Sequence, residues 1–145
     1  DIPNPLSGYE RSLMEELIRS LQPSKPLQVY LKATLNDATQ MMRKNGIGCV
    51  LITDDDGSLA GILTERDLLH KVAGQHLDLD QCLVEDFMSQ APESSKSEHP
   101  LGYALHRMII SDIRYLPLVD EENRPEGIIS SRDIIAFINT QLYDI

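Results

Sequence analysis

A chain of 145 residues with 13 basic and 23 acidic side chains carries a formal net charge of −10. The length fits one ordinary domain or two very small ones, with roughly two thirds of the unfolded surface buried on folding. The charge argues against nucleic acid or an anionic membrane surface as a partner, since both need clustered Lys and Arg. No apolar run approaches a membrane span, and the opening DIPNPLSGYERS has no basic segment leading into an apolar one, so a soluble, cytoplasmic chain is expected. It starts at Asp1 rather than Met, as a piece of a longer protein would.

Taken in chain order, Ser7 and Glu10 stand at capping-box spacing. Leu13, Leu17, Ile18 and Leu21 then form one stripe that ends before Pro23, which predicts an amphipathic N-terminal helix. Such a helix must dock on its own module, on a dimer partner or on an effector domain. LQVYL reads as a strand with Val29 at its middle, and Leu35, Ala38, Met41 and Met42 recur at helical spacing. CVLIT and LAGILT are short apolar runs separated by the acidic turn DDDGS, which predicts a hairpin. A helix then opens at TERD, with Leu68, Leu69 and Val72 as its apolar stripe.

The same order returns in the second half. Adding 66 to a residue number maps 26–72 onto 92–138 without a gap, with identity at Pro26/Pro92, Leu35/Leu101, Ala38/Ala104, Met42/Met108, Ile47/Ile113, Asp54/Asp120, Gly61/Gly127, Ile62/Ile128, Arg66/Arg132 and Asp67/Asp133. Leu101, Ala104, Leu105, Met108 and Ile109 make the matching helix, YLPLVD and PEGIIS the matching hairpin, and Ile134, Ile135 and Ile138 the last stripe. Gly57 in the first turn corresponds to Asn123 in the second, the two residue types most at ease with positive φ. Matched register over this length predicts two copies of a β-α-β-β-α unit, an α/β (α+β) fold in which neither copy buries its apolar face alone. The expected organisation is an N-terminal helix and linker over 1–25, repeats over 26–74 and 92–141, and a linker over 75–91.

GILTERD and GIISSRD share one phrase: glycine, an apolar residue, any residue, a hydroxyl residue, two residues, aspartate. Gly61 and Gly127 allow a second backbone or a flat ligand to approach the strand. Thr64 and Ser130 stand at a helix mouth, where backbone N–H groups and the dipole favour a phosphate. Asp67 and Asp133, one turn on, are placed to accept hydrogen bonds from a ribose diol. The same spacing is also that of a capping box, in which the hydroxyl caps the helix and the acid bonds back. Arg114 and Lys96 are weaker phosphate candidates, with plain surface placement as the alternative. Arg66 and Arg132 read more simply as solvent-facing helix residues paired with nearby acids.

With these residues in place, the chain resembles a tandem pair of CBS domains, the Bateman module. The resemblance rests on the order of elements, the twin phrase, the LPLVD strand and the VEDFMSQAP segment leading into the second copy, and it covers about 26–141. It implies a pseudo-twofold pair of units that regulates rather than catalyses. It also implies an adenosine-containing ligand such as AMP, ADP, ATP or S-adenosylmethionine in the cleft between the repeats, with the LQVYL strand at Val29 walling the adenine. Homodimerisation through helices and an effector in cis or trans are further implications, and no cofactor is required. The chain departs from the family pattern in ESSKS, where an apolar strand is usual, and in the lack of a VEDFMSQAP-like leader before the first copy.

Other features carry less. Cys49, in GCVLI, reads as a small buried apolar residue, and Cys82 has no partner spacing. DDDGS lacks the alternate spacing of a calcium loop, GIG at 46–48 lacks the third glycine of a dinucleotide fingerprint, and the four histidines have no metal-helix spacing. No set of nucleophile, base and orienting acid can be assembled, so no enzyme is expected. Two functions remain: a nucleotide sensor, and a structural dimerisation module in which the twin phrase only caps helices.

Overall fold

A computed structural model of the chain describes residues 15–90 and 93–143. The Ser7–Glu10 capping box and Leu13 lie outside the described residues. The chain divides into two compact units. The first comprises Lys25–Pro92 and Val119–Glu126; the second comprises Asp1–Ser24, Glu93–Leu118 and Gly127–Ile145.

In the first unit β1 (Gln28–Tyr30), β2 (Cys49–Thr53), β3 (Leu59–Thr64) and β4 (Ser89–Gln90) form one sheet in that spatial order. β1 runs parallel to β2, whereas β2–β3 and β3–β4 are antiparallel. Helix α1 (Leu35–Asn45) begins where Thr34 Oγ1 accepts the Asp37 N–H at 3.0 Å and ends at Gly46, whose φ of 61° only a left-handed cap needs. Its Leu35, Ala38 and Met42 face Val50, Ile52, Leu63 and Val84 to make the core. β2 is buried along its whole length, which is why CVLIT is apolar without alternation. The last helix, α2, starts as Glu65–Asp67 and widens into a π-helical stretch over Leu68–Val72.

The second unit repeats this plan. Helix α3 (Leu101–Ser111) sets Leu101, Ala104 and Met108 against Leu116, Leu118, Ile129 and Ile134, drawn from β5 (Tyr115–Val119), β6 (Pro125–Ser130) and α4 (Ser131–Tyr143). The polar ESSKS stretch does not form a full strand. It keeps a single parallel bridge, Ser95 to Leu118, at the position of Val29 to Ile52. Ser95 is buried, and its hydroxyl lies 2.6 Å from His99 Nδ1, which satisfies a group that an apolar side chain would not have brought in. Gly57 (φ 86°) and Asn123 (φ 62°) turn the two hairpins, as their types predict.

Three sequence expectations are corrected by packing. Leu69 and Ile135 are 67% and 65% exposed, and Ile109 is 68% exposed, so none belongs to a buried stripe. The described end of the N-terminal stripe is not one continuous α-helix, because Leu17 bridges to Pro100 and Ile18–Leu21 is a 3-10 turn. The first repeat also has a leader. Leu17 to Pro100 matches the Leu83 to Thr34 bridge, Ile18 N to His99 O (2.9 Å) matches Val84 N to Ala33 O (2.8 Å), and Leu101 N to Glu16 O (2.8 Å) matches Leu35 N to Cys82 O (2.8 Å), all offset by 66. Each unit is thus closed by the segment that precedes the other repeat. ELIRSLQ and CLVEDFM share little beyond their apolar positions, which hid the equivalence.

Cys49 is buried at 2% exposure, and desolvation, reinforced by the Glu65 carboxylate, pushes its thiol up to about 12 from an ordinary 9.0. The folded chain therefore holds this thiol neutral after the unfolded chain has released its proton. The associated stability is intact below pH 9.0 and is lost as pH rises through about 12. Melting temperature measured against pH should fall less steeply in this alkaline range for Cys49→Ala than for the parent; an identical slope would rule the thiol out as a contributor.

Candidate functional site

Each twin phrase crosses from a strand into a helix, and each is hydrogen-bonded the same way. In the first unit Thr64 Oγ1 accepts the Asp67 N–H at 3.1 Å, and Asp67 Oδ2 accepts the Thr64 N–H at 2.9 Å. In the second, Ser130 Oγ accepts the Asp133 N–H at 3.1 Å, and Asp133 Oδ2 accepts the Ser130 N–H at 2.8 Å. Both are complete capping boxes. The first helical N–H is used as well: Glu65 N donates to Gly48 O at 2.9 Å and Ser131 N to Arg114 O at 2.8 Å. Three mouth donors in each unit are thereby committed to the protein, which leaves the mouths poorer in anion-binding groups than the bare motif implies.

The two carboxylates differ in what else reaches them. In the first unit, the second oxygen of Asp67 accepts from Ser89 Oγ at 3.3 Å and pairs with Lys71 Nζ at 3.1 Å, and that ammonium also donates to Phe87 O at 2.8 Å. The Asp67 side chain is left only 12% exposed. In the second unit Asp133 is exposed, and no donor among the described residues reaches its second oxygen. Asp133 lines a groove of about 270 Å³ between the leader turn at Ser20–Gln22 and the face of α4 carrying Phe137 and Thr140.

The glycines are explained by the leaders. A Cβ on Gly61 would lie 2.4 Å from Met88 Sδ and 2.9 Å from Ser89 O, and one on Gly127 would lie 3.2 Å from Pro23 Cβ and 3.4 Å from Ser24 O. A second backbone makes the close approach in both units.

Val29 lies in one row across the first sheet with Ile52, Gly61 and Gln90. Val29, Gly61, Thr64 and Asp67 therefore belong to the first unit, and Lys96, Arg114, Gly127, Ser130 and Asp133 to the second. The Lys96 N–H donates to His99 Nδ1 at 3.4 Å, and its carbonyl accepts from His99 N at 3.0 Å, so its backbone is part of the Ser95–His99 turn. Arg114 is exposed, and its firm role is the carbonyl at the α4 mouth. Motif reading missed Lys71, Met88, Ser89 and Ser20–Gln22. The offset of 66 carried back to Ile18/Val84 was the available signal for the leaders. Among the described residues no group of His, Cys, Asp and Glu is arranged to hold a metal, and no helix is long and apolar enough to cross a membrane.

A family model described as CBS domain matches residues 18–74 and again 84–140, the two matches being offset by the same 66 residues. Among curated proteins, the chain is 34% identical over 137 residues to the meiotically up-regulated gene 70 protein of Schizosaccharomyces pombe, covering 94% of this chain and 19% of that protein. It is 35% identical over 115 residues to the CBS domain-containing protein CBSCBSPB5 of Arabidopsis thaliana, covering 79% of this chain and 21% of the relative. The chain thus spans about a fifth of the length of these relatives. Among solved structures, an uncharacterized conserved protein from Pyrococcus horikoshii superposes with a TM-score of 0.76 at 25% identity, over 86% of this chain and 92% of the other. The CBS domain pair of protein MJ0100, solved with 5'-methylthioadenosine and S-adenosyl-L-methionine, superposes with a TM-score of 0.77 at 24% identity, over 86% and 97% of the two chains, and at that identity it speaks for the fold.

Proposed function

The chain belongs to the CBS domain family, with two copies of the domain, and from that premise we propose that it is a non-catalytic regulatory module that binds an adenosine-containing ligand through its second repeat. The observation that carries this reading is the asymmetry of the twin phrase. Asp67 is neutralised by Lys71 and bonded by Ser89, whereas Asp133, whose second oxygen no donor among the described residues reaches, lines a groove. A carboxylate oxygen held in place by its own cap is pre-oriented to accept from a ribose diol, and each bond to a charged group is worth about 1.5–3 kcal/mol. The bound S-adenosyl-L-methionine and 5'-methylthioadenosine of the MJ0100 pair support the adenosine class. Gly127, Ser130 and Asp133 are the residues assigned to this ligand, with Lys96 and Arg114 as flanking candidates and Gly61, Thr64, Asp67 and Val29 as the counterpart set in the first unit. Occupancy is read by a partner protein or domain through a shift in packing.

Calorimetric titration with AMP, ATP, S-adenosylmethionine and NADH tests the reading. Asp133→Ala is expected to lower affinity for the bound nucleotide at least about tenfold, a loss of about 1.4 kcal/mol. The complete capping boxes favour a second reading, a ligand-free dimerisation module. Flat titrations, together with a stability loss of about 1 kcal/mol in Asp133→Ala, would establish it in place of the first.

A further inference from the structure

In the first unit every acceptor position of Asp67 is taken by the chain itself. Oδ2 accepts the Thr64 N–H at 2.9 Å and the Thr64 hydroxyl at 3.2 Å, while Oδ1 accepts the Ser89 hydroxyl at 3.3 Å and pairs with Lys71 Nζ at 3.1 Å. An ionised carboxylate has about four such positions, so none is left for a hydroxyl from outside. The Lys71 ammonium is fixed in turn by the Phe87 carbonyl at 2.8 Å. Met88 and the Ser89 carbonyl lie over Gly61, so the strand glycine is covered as well. The second unit has neither outer donor: an offset of 66 sets Phe137 in the place of Lys71 and Pro23 in the place of Ser89, and neither side chain can donate. Lys71 follows a helix start and Ser89 lies in β4, yet both converge on one oxygen. We propose that Lys71 and Ser89 form an internal plug that stands in for the hydroxyl donors of a ligand, which makes the first repeat a latent copy of the site and limits the chain to one ligand.

This rests on the adenosine reading and adds its stoichiometry and a means of regulation. A plug carried on the same chain acts at a high effective concentration, and a free ligand must displace both donors while losing its own translational freedom. The Lys71 side chain is 40% exposed against 12% for Asp67, so the ammonium can swing into water without unfolding the unit, and whatever draws it away uncovers the second site.

Adenosine, the group common to the whole ligand class, is the probe, followed by calorimetry and by amide resonances of the full chain. The parent should bind one adenosine, with saturable shifts at Ser20–Gln22 and Asp133–Thr140 and none at Asp67, Lys71 or Ser89. The double variant Lys71→Met with Ser89→Ala should bind two, through new saturable shifts at Asp67 and Phe87–Gln90 and an affinity at the first repeat raised at least about tenfold. Adding Asp67→Asn, which retains an oxygen for the capping bond, should remove the new site alone. Both plug residues are exposed, and a melting temperature close to the parent's checks that the variant is folded; each single substitution, tested in parallel, should open the site in part. Two adenosines on the parent, or only one on the folded double variant, overturn the plug and leave the second-repeat site standing. A silent parent with adenosine bound at Asp67 in the variant removes the second-repeat assignment and keeps the plug, and silence in both proteins removes both.

Discussion

Ile18→Ala is expected to destabilise the protein by about 3 kcal/mol, which lowers the melting temperature by roughly 10 °C in a chain of this size. Ile18 precedes both hairpins and lies in a segment that looks, in sequence, like the end of a surface helix. In the structure it is fully buried and belongs to the core formed by Leu101, Ala104, Met108, Leu116 and Ile134. Its N–H donates to the His99 carbonyl at 2.9 Å, so the backbone is anchored and cannot collapse freely into the space an alanine would leave. Removing three carbons from such a position forfeits their transfer free energy and leaves a void. Ile109→Ala, which trims the same side chain at 68% exposure, is the matched control and should change stability by less than about 0.5 kcal/mol. Equal melting temperatures for the two variants would mean that the leader does not close the second unit.

Gly61→Val is expected to cost about 3 kcal/mol, seen as a lowered urea midpoint. Met88 is flexible and can withdraw from the new side chain. The Ser89 carbonyl, 2.9 Å from the position of a Cβ, is backbone in a strand paired through Ile62 to Ser89 and Gly61 to Gln90, and it can move only if β4 separates from β3. That separation would also release the Ser89 hydroxyl from Asp67. Combining Gly61→Val with Met88→Ala should therefore recover only part of the loss. Gly127→Ala, whose nearest backbone neighbour is at 3.4 Å, should cost about 1 kcal/mol or less. A Gly61→Val protein with the parent midpoint would show that β4 does not lie against β3 as described.

The repeat, the hairpins and the helix mouths were readable before any coordinates, because each is specified by neighbours in the chain. Leu35, Ala38 and Met42 recur at helical spacing, Gly57 and Asn123 mark positions that require positive φ, and Thr64 with Asp67 or Ser130 with Asp133 cap a helix within one turn. The first-repeat leader was only faintly marked. Leu17 and Ile18 match Leu83 and Val84 but the residues around them share little else, and their partners, Pro100 and His99, lie some 80 residues away. The same holds for the final stripes, where apolar Leu69 and Ile135 point to solvent because only one side of each helix meets its own core.

The site divides along the same line. Local spacing was enough to nominate both aspartates, and it could not distinguish them, since their phrases are nearly identical. Long-range packing separates them: Lys71 and Ser89 converge on Asp67, and Phe137 replaces the lysine beside Asp133. A motif records what a residue can do within its own turn of backbone. Whether its charge is already answered depends on side chains brought in by the fold, and their identity leaves no trace in the motif itself.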